Sequence, residues 1–139
     1  MDEAEVVRAL AGSELFAGLP EKELRRIAGS GKEISFAAGE ELATTGDAAG
    51  RYYLVLEGQA EVAVNESRRV SLGPGAGIGE VALLDGGSRS ATVVASTPLR
   101  TFSLAAWNFK PLLERPPIAE AVIALLVRRL RAAESPSVA

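Results

Sequence analysis

The chain has 139 residues, of which 47% are hydrophobic, and a formal net charge of -3. That suits one domain of common size with its own core, argues against disorder, and argues against a grip on nucleic acid by the whole chain. Histidine and cysteine are both absent, which removes the commonest general base, the commonest metal ligand, thiolate chemistry and disulfides.

The first thirty residues read as helical. Val6, Val7, Leu10 and Ala11 sit at helix spacing, and Gly12-Ser13 interrupts the run. Pro20 then opens a second helix as its first residue, with Glu21 and Glu23 favourable near the N-terminus, Leu24 and Ile27 as the apolar stripe and Gly29-Ser30-Gly31 as the stop. From Lys32 to Ala105 short apolar runs alternate with turn residues: Ala37-Ala38-Gly39-Glu40, Gly46-Asp47, Glu57-Gly58, Asn65-Glu66-Ser67 and Pro74-Gly75. Strands are expected at 32–36, 41–45, 51–57, 59–64, 68–72, 90–96 and 99–104. The run 51–57 has few polar positions and is expected to be central. After Leu104 the pattern returns to helix, over 105–113 and then, beyond a separating Pro116-Pro117, over 118–133. From Ile118 to Val127 only Glu120 is charged. A helix lying on one surface shows a polar back, so burial on two sides is expected, one face on the body and the other on a partner, a second copy of the chain included. Trp107, at the start of the penultimate helix, is expected to pack at a hinge.

These elements define an α+β, mainly β, fold: an antiparallel jelly-roll-type β-roll of about eight strands, with N-terminal helices, one short helix inside the roll and two C-terminal helices. Residues 1–139 are read as a single domain, with a helical lead over 1–31, the roll over 32–105 and the C-terminal helices over 106–134. No apolar run reaches the ~18 residues of a membrane span. The acidic start Met1-Asp2-Glu3-Ala4-Glu5 is unlike a secretory signal. A cytoplasmic protein that does not engage a membrane is expected.

The chemistry concentrates in residues 79–91. Glu80 stands at the start of a short apolar turn, and Arg89 follows nine positions later, ahead of the β-type run Ser90-Ala91-Thr92-Val93-Val94-Ala95. A helix opening with free N–H groups attracts anions. A guanidinium clamps a phosphate through two hydrogen bonds. A carboxylate only accepts hydrogen bonds, so it suits a sugar hydroxyl and repels a phosphate. A ribose carrying a phosphate satisfies all three groups. Taken singly, Glu80 is an ordinary helix N-terminal acid and Arg89 an ordinary solvated cation; the pair at this spacing is what carries the signal.

Three other chemistries fit less well. Gly77-x-Gly79-x-x-Ala82 matches a dinucleotide fingerprint on paper, but Gly86-Gly87 end the following turn too soon and no acid stands about twenty residues on. A Walker Gly-Lys-Ser/Thr is missing, as is an Asp-x-Asp-x-Asp-Gly loop for magnesium or calcium. Metal-dependent β-roll enzymes of the cupin type rest on imidazoles. No catalytic residue, metal site or enzymatic activity is expected.

The segment Ile78-Gly79-Glu80-Val81-Ala82-Leu83, with Ser88-Arg89-Ser90-Ala91-Thr92-Val93, resembles the phosphate-binding cassette of cyclic nucleotide-binding domains, as in Crp-type regulators and protein kinase A regulatory subunits. The family form is Phe-Gly-Glu-(Leu/Ile/Met)-Ala-Leu, a spacer, then Pro-Arg-(Ala/Ser/Thr)-Ala-Thr-Val. Ile78 for Phe and Ser88 for Pro alter packing and loop stiffness but not the polar chemistry. The likeness runs from about Leu15 to Leu130 and takes in Leu15-Phe16-Ala17-Gly18-Leu19 and Tyr52-Tyr53-Leu54-Val55-Leu56-Glu57-Gly58.

The resemblance implies a cassette over 78–93 with a nucleotide-binding set of Gly79, Glu80, Val81, Ala82, Arg89, Ser90 and Ala91. Glu80 would accept from the ribose 2′-hydroxyl and Arg89 would pair with the cyclic phosphate. The N–H groups of Ala82 and Ser90 would complete the cradle. Leu72, Ile78 and Val93 are candidates for the base pocket, and Leu126, Arg129 and Leu130 for a cap from the last helix. Serine rather than threonine at position 90 leans towards cAMP over cGMP. The function implied is a sensor that binds cAMP and signals by moving its last helix, to an effector domain or protein the sequence does not name. The alternatives are the N-terminal sensor and dimerisation part of a Crp-type transcription regulator, although this chain has no room for a helix-turn-helix after the last helix, and a dimerisation module that kept the fold and lost the ligand.

Overall fold

A computed structural model of the chain describes residues 2–43, 50–63, 67–79 and 91–134. Two helices lead: α1 (Glu3–Ala11) and α2 (Glu21–Gly29). Eight strands follow: β1 (Lys32–Phe36), β2 (Glu41–Ala43), β3 (Arg51–Glu57), β4 (Ala60–Ala63), β5 (Arg69–Leu72), β6 (Gly77–Ile78), β7 (Thr92–Ala95) and β8 (Leu99–Ala105). Two helices close the described chain, α3 (Ala106–Leu112) and α4 (Pro116–Glu134).

Asp2 caps α1 by accepting from the Ala4 N–H at 3.0 Å, and Val6 and Leu10 face inward. Ser13 then turns the chain: its hydroxyl donates to the Leu10 carbonyl and accepts from the Phe16 N–H. Pro20 is the residue before α2 rather than its first helical residue, at φ -59° and without a side-chain cap. Gly31 follows because a side chain there would run into the Ser103 carbonyl and the Phe102 ring.

The strands form two antiparallel sheets, ordered β1-β8-β3-β6 and β2-β7-β4-β5. β3 is interior, as its few polar positions imply. Strand alternation divides it between two cores. Tyr52 and Leu54 face the helices with Phe102 and Leu104 of β8, while Tyr53 and Val55 face the second sheet with Leu99. The buried hydroxyl of Thr101 donates to the Ile34 carbonyl at 2.7 Å, which satisfies a polar group in the sheet interior.

Expected and observed elements agree over 32–36 and 51–57 and differ at several ends. β4 and β5 each begin one residue later than expected, β7 covers 92–95 of the expected 90–96, and β2 and β4 are described only to Ala43 and Ala63. β6 has no counterpart in the expected strands. It is two residues long and exists because Ile78 and Gly77 pair with Tyr53 and Leu54. Pro116-Pro117 does not separate the last two helices but begins α4, where a missing N–H costs nothing. The N–H groups of Ile118 and Ala119 already donate to the Arg115 carbonyl. Trp107 does not pack at a hinge. It is 66% exposed, with the Arg51 guanidinium over its ring at 5.9 Å.

Candidate functional site

The two ends of the expected cassette belong to different sheets. β6 is the edge strand of the first sheet, and Gly79 directly follows it with φ +90°, a conformation that any other residue would hold under strain. Ala91 is half-buried and directly precedes β7, an interior strand of the second sheet that pairs with β2 and β4. Residues 80–90 therefore join two sheets that face one another. Glu80, Val81, Ala82, Arg89 and Ser90, and the expected short helix, lie outside the described residues.

The apolar ground between those ends is one continuous cluster. Ile78, Val93, Tyr53, Val55, Ala95 and Leu99 are buried in it, and Leu72 packs against it half-buried. Tyr53 meets Phe36 edge to face, with ring centroids 5.5 Å apart. Of the base-pocket candidates, Leu72, Ile78 and Val93 thus share a single environment.

The cap candidates stand elsewhere. α4 docks through Ile118, Val122 and Leu125 into the other cluster, the one formed by α1, α2, α3 and the helix-facing side of β3 and β8. Leu126 is 42% and Leu130 60% exposed. The Arg129 side chain reaches Glu14 in the loop between α1 and α2, with Nε donating to Oε1 at 3.4 Å. One face of α4 is covered by the body, and Ile123, Leu126, Val127 and Leu130 make an exposed apolar face.

Two ion clusters that sequence reasoning did not anticipate brace the helices around this frame. Arg100 of β8 gathers Glu5 of α1 at 2.7 Å, Glu33 of β1 at 2.9 Å and Glu57 of β3 at 3.3 Å. Hydrogen bonding from Arg100 holds the Glu5 carboxyl below the usual carboxylate range, and the three glutamates push the Arg100 guanidinium further up. Arg115, at the joint between α3 and α4, donates twice to the buried Glu23 of α2, at 2.6 and 2.8 Å, which lowers the Glu23 carboxyl and raises the Arg115 guanidinium. No local signal marks these pairs, since their partners are far apart in sequence.

An open groove between α2 and that joint is lined by Arg25, Arg26, Ser30, Leu112 and Arg115, and Arg115 there is engaged by Glu23. Among the described residues no group of three metal-ligating side chains could hold an ion, and no helix is long and apolar enough to cross a membrane.

The two sheets of this β-roll are joined by residues 80–90, which follow Gly79 and include Glu80 and Arg89. A family model described as the cyclic nucleotide-binding domain matches residues 33–116. The chain belongs to the cyclic nucleotide-binding domain family. It is 33% identical over 106 residues to a cAMP-dependent protein kinase regulatory subunit of Yarrowia lipolytica, covering 76% of this chain and 28% of that protein. It is also 33% identical over 131 residues to the cyclic AMP receptor protein of Thermus thermophilus, covering 90% of this chain and 61% of that one. The chain thus spans less than two thirds of either relative. Its fold is similar to the solved N-terminal domain of a transcriptional regulator from Streptomyces coelicolor, at a TM-score of 0.80 and 32% identity, covering 91% of this chain and 92% of that structure.

Proposed function

We propose that this chain, as one domain over residues 1–139, is a cytoplasmic sensor that binds cAMP without transforming it and signals through α4. The observation that carries the reading is that Gly79 follows a strand of one sheet and Ala91 precedes a strand of the other, with Glu80 and Arg89 in the segment between them. Glu80 accepts from the ribose 2′-hydroxyl. Arg89 takes the cyclic phosphate with the N–H groups of Ala82 and Ser90, and the Ser90 hydroxyl favours cAMP over cGMP. The base lies towards Leu72, Ile78 and Val93. Leu126, Arg129 and Leu130 reach it only when α4 moves, and that difference between two states is what lets a ligand shift the equilibrium.

Calorimetric titration tests this directly. The protein should bind cAMP, and cGMP more weakly. Arg89→Ala should lose about thirtyfold or more in affinity, the cost of about 2–5 kcal/mol for truncating a buried charge pair. Labelled cAMP incubated with the protein should be recovered unchanged. A wild type that binds neither nucleotide overturns the reading in favour of a dimerisation module without a ligand.

The similarity to the Thermus receptor protein and the Streptomyces regulator supports a second reading, the sensor and dimerisation part of a Crp-type regulator. The exposed face of α4 favours it. Ala119, Ile123, Leu126, Leu130 and Ala133 recur at spacings of four and three, the pattern of a two-helix seam. This reading expects a parallel homodimer through α4 and a longer open reading frame. Leu126→Asp should convert the dimer to monomer in sedimentation equilibrium, and a wild type already monomeric at high concentration would sink it.

A further inference from the structure

The two halves of α4 are held in different ways. Ile118, Val122 and Leu125 anchor the first half in the helix-side cluster. Beyond Leu125 no described side chain is buried, and Arg129 is half-buried while its neighbours are exposed. In the second half an ion pair joins Arg129 to Glu14 of the body, across 115 positions of sequence.

Glu14 is a fixed anchor. Ser13 before it is buried, bonded through its hydroxyl to the Leu10 carbonyl and the Phe16 N–H, and its carbonyl accepts from Ala17 at 2.9 Å. Leu15 and Phe16 after it are buried at 3% and 0% exposure. The Glu14 carboxylate therefore projects from a pinned loop towards Arg129. Arg129 lies three positions after Leu126 and one before Leu130, so while the ion pair holds, that stretch of helix stays on the helical side of the molecule.

We propose that Glu14 is a positioning residue that sets nucleotide affinity: its ion pair with Arg129 keeps the second half of α4 away from the inter-sheet pocket, and binding must break it. The proposal rests on the cAMP-binding reading above. A protein whose binding-competent state is only partly populated shows an affinity reduced by that fraction. An exposed ion pair biases such an equilibrium by about two- to fivefold, which is a tuning effect and not an on–off switch. Salt screens the pair, so the bias fades as ionic strength rises.

The test compares wild type, Glu14→Asp, Glu14→Gln and Glu14→Lys by titration with cAMP, at low salt and at about 1 M salt, with amide hydrogen exchange of residues 126–134 measured without ligand. Glu14→Gln and Glu14→Lys should bind cAMP about two- to fivefold more tightly than wild type at low salt. The gap should close at high salt, exchange over 126–134 should quicken, and Glu14→Asp should stay near wild type. Loss of a merely structural contact would weaken binding or leave it unchanged, so a gain in affinity is the discriminating sign. Unchanged or weaker binding by both variants at low salt overturns the proposal, as does unaltered exchange over 126–134. A wild type that binds neither cAMP nor cGMP removes the affinity role together with the functional reading. That outcome is recognisable, because the exchange measurement reports the Glu14–Arg129 contact without any nucleotide.

Discussion

The helix-side cluster and the inter-sheet cluster share the strands β3 and β8 but are built differently. The first draws on all four described helices and is braced by ring contacts, with Phe16 edge to face against Tyr52 at 6.0 Å and tilted against Phe109 at 6.1 Å. The second is smaller, and its strands lead into and out of residues 80–90. One region packs the helices onto the first sheet, and the other lies between the two sheets that residues 80–90 join. Because alternate side chains of one strand serve the two regions, a change on one face of β3 leaves the chemistry of the other face in place.

That division can be broken by substitution. The largest expected effect is in the helix-side cluster. Phe109→Ala, at a fully buried site, should cost about 3–5 kcal/mol in urea unfolding. A cost below about 1 kcal/mol would mean that Phe109 is not part of the stabilising core. Arg89→Ala comes next and should show the opposite profile, with nucleotide affinity lost as stated above and the thermal midpoint of the ligand-free protein unmoved. A fall in that midpoint would give Arg89 a structural role instead. Ile78→Val probes the boundary between the regions, as the residue is 5% exposed and adjoins Gly79. It should cost about 0.5–1.5 kcal/mol of stability and weaken cAMP binding by a smaller factor than Arg89→Ala.

The smallest effect is a pH dependence confined to the helix-side bracing. Glu5 and Glu23 have lowered folded-state values, so the unfolded chain takes up their protons first as acid is added. Their contribution is complete above the ordinary carboxylate value of about 4.3 and is lost as the pH falls through their lowered values. The thermal midpoint of wild type should therefore fall as the pH drops below about 4.3. Glu23→Gln should be less stable at neutral pH and show a shallower acid decline. An identical acid limb in the two proteins would show that the Glu23–Arg115 pair contributes nothing to the difference.

The parts of the fold that were legible in the chain are those whose cause is local. β1 and β3 were readable to the residue because apolar runs end at turn residues, Gly31 before β1 and Gly58 after β3. β6 was not, because two residues carry no periodicity and only the pairing with Tyr53 and Leu54 makes them a strand. Pro116-Pro117, read as a separator, instead begins the last helix, because proline is tolerated in a first turn whose N–H groups have no helical partner. Within the candidate site, Glu80 and Arg89 were picked out by residue type and spacing. The common environment of Leu72, Ile78 and Val93 became visible only when two sheets were laid face to face.

The sequence by itself determined the order of the described elements apart from β6, the central place of β3, and an acid and an arginine nine positions apart in a cyclic nucleotide-binding domain. These follow from periodicity, turn chemistry and hydrogen-bonding type, which act over a few residues. Only the tertiary structure decided which face of α4 is covered, that Arg115 grips Glu23, that Arg100 gathers three glutamates, and that Arg129 meets Glu14. Those contacts join side chains far apart in the chain, and long-range pairing is settled by how helices and sheets pack, about which the local pattern carries no information.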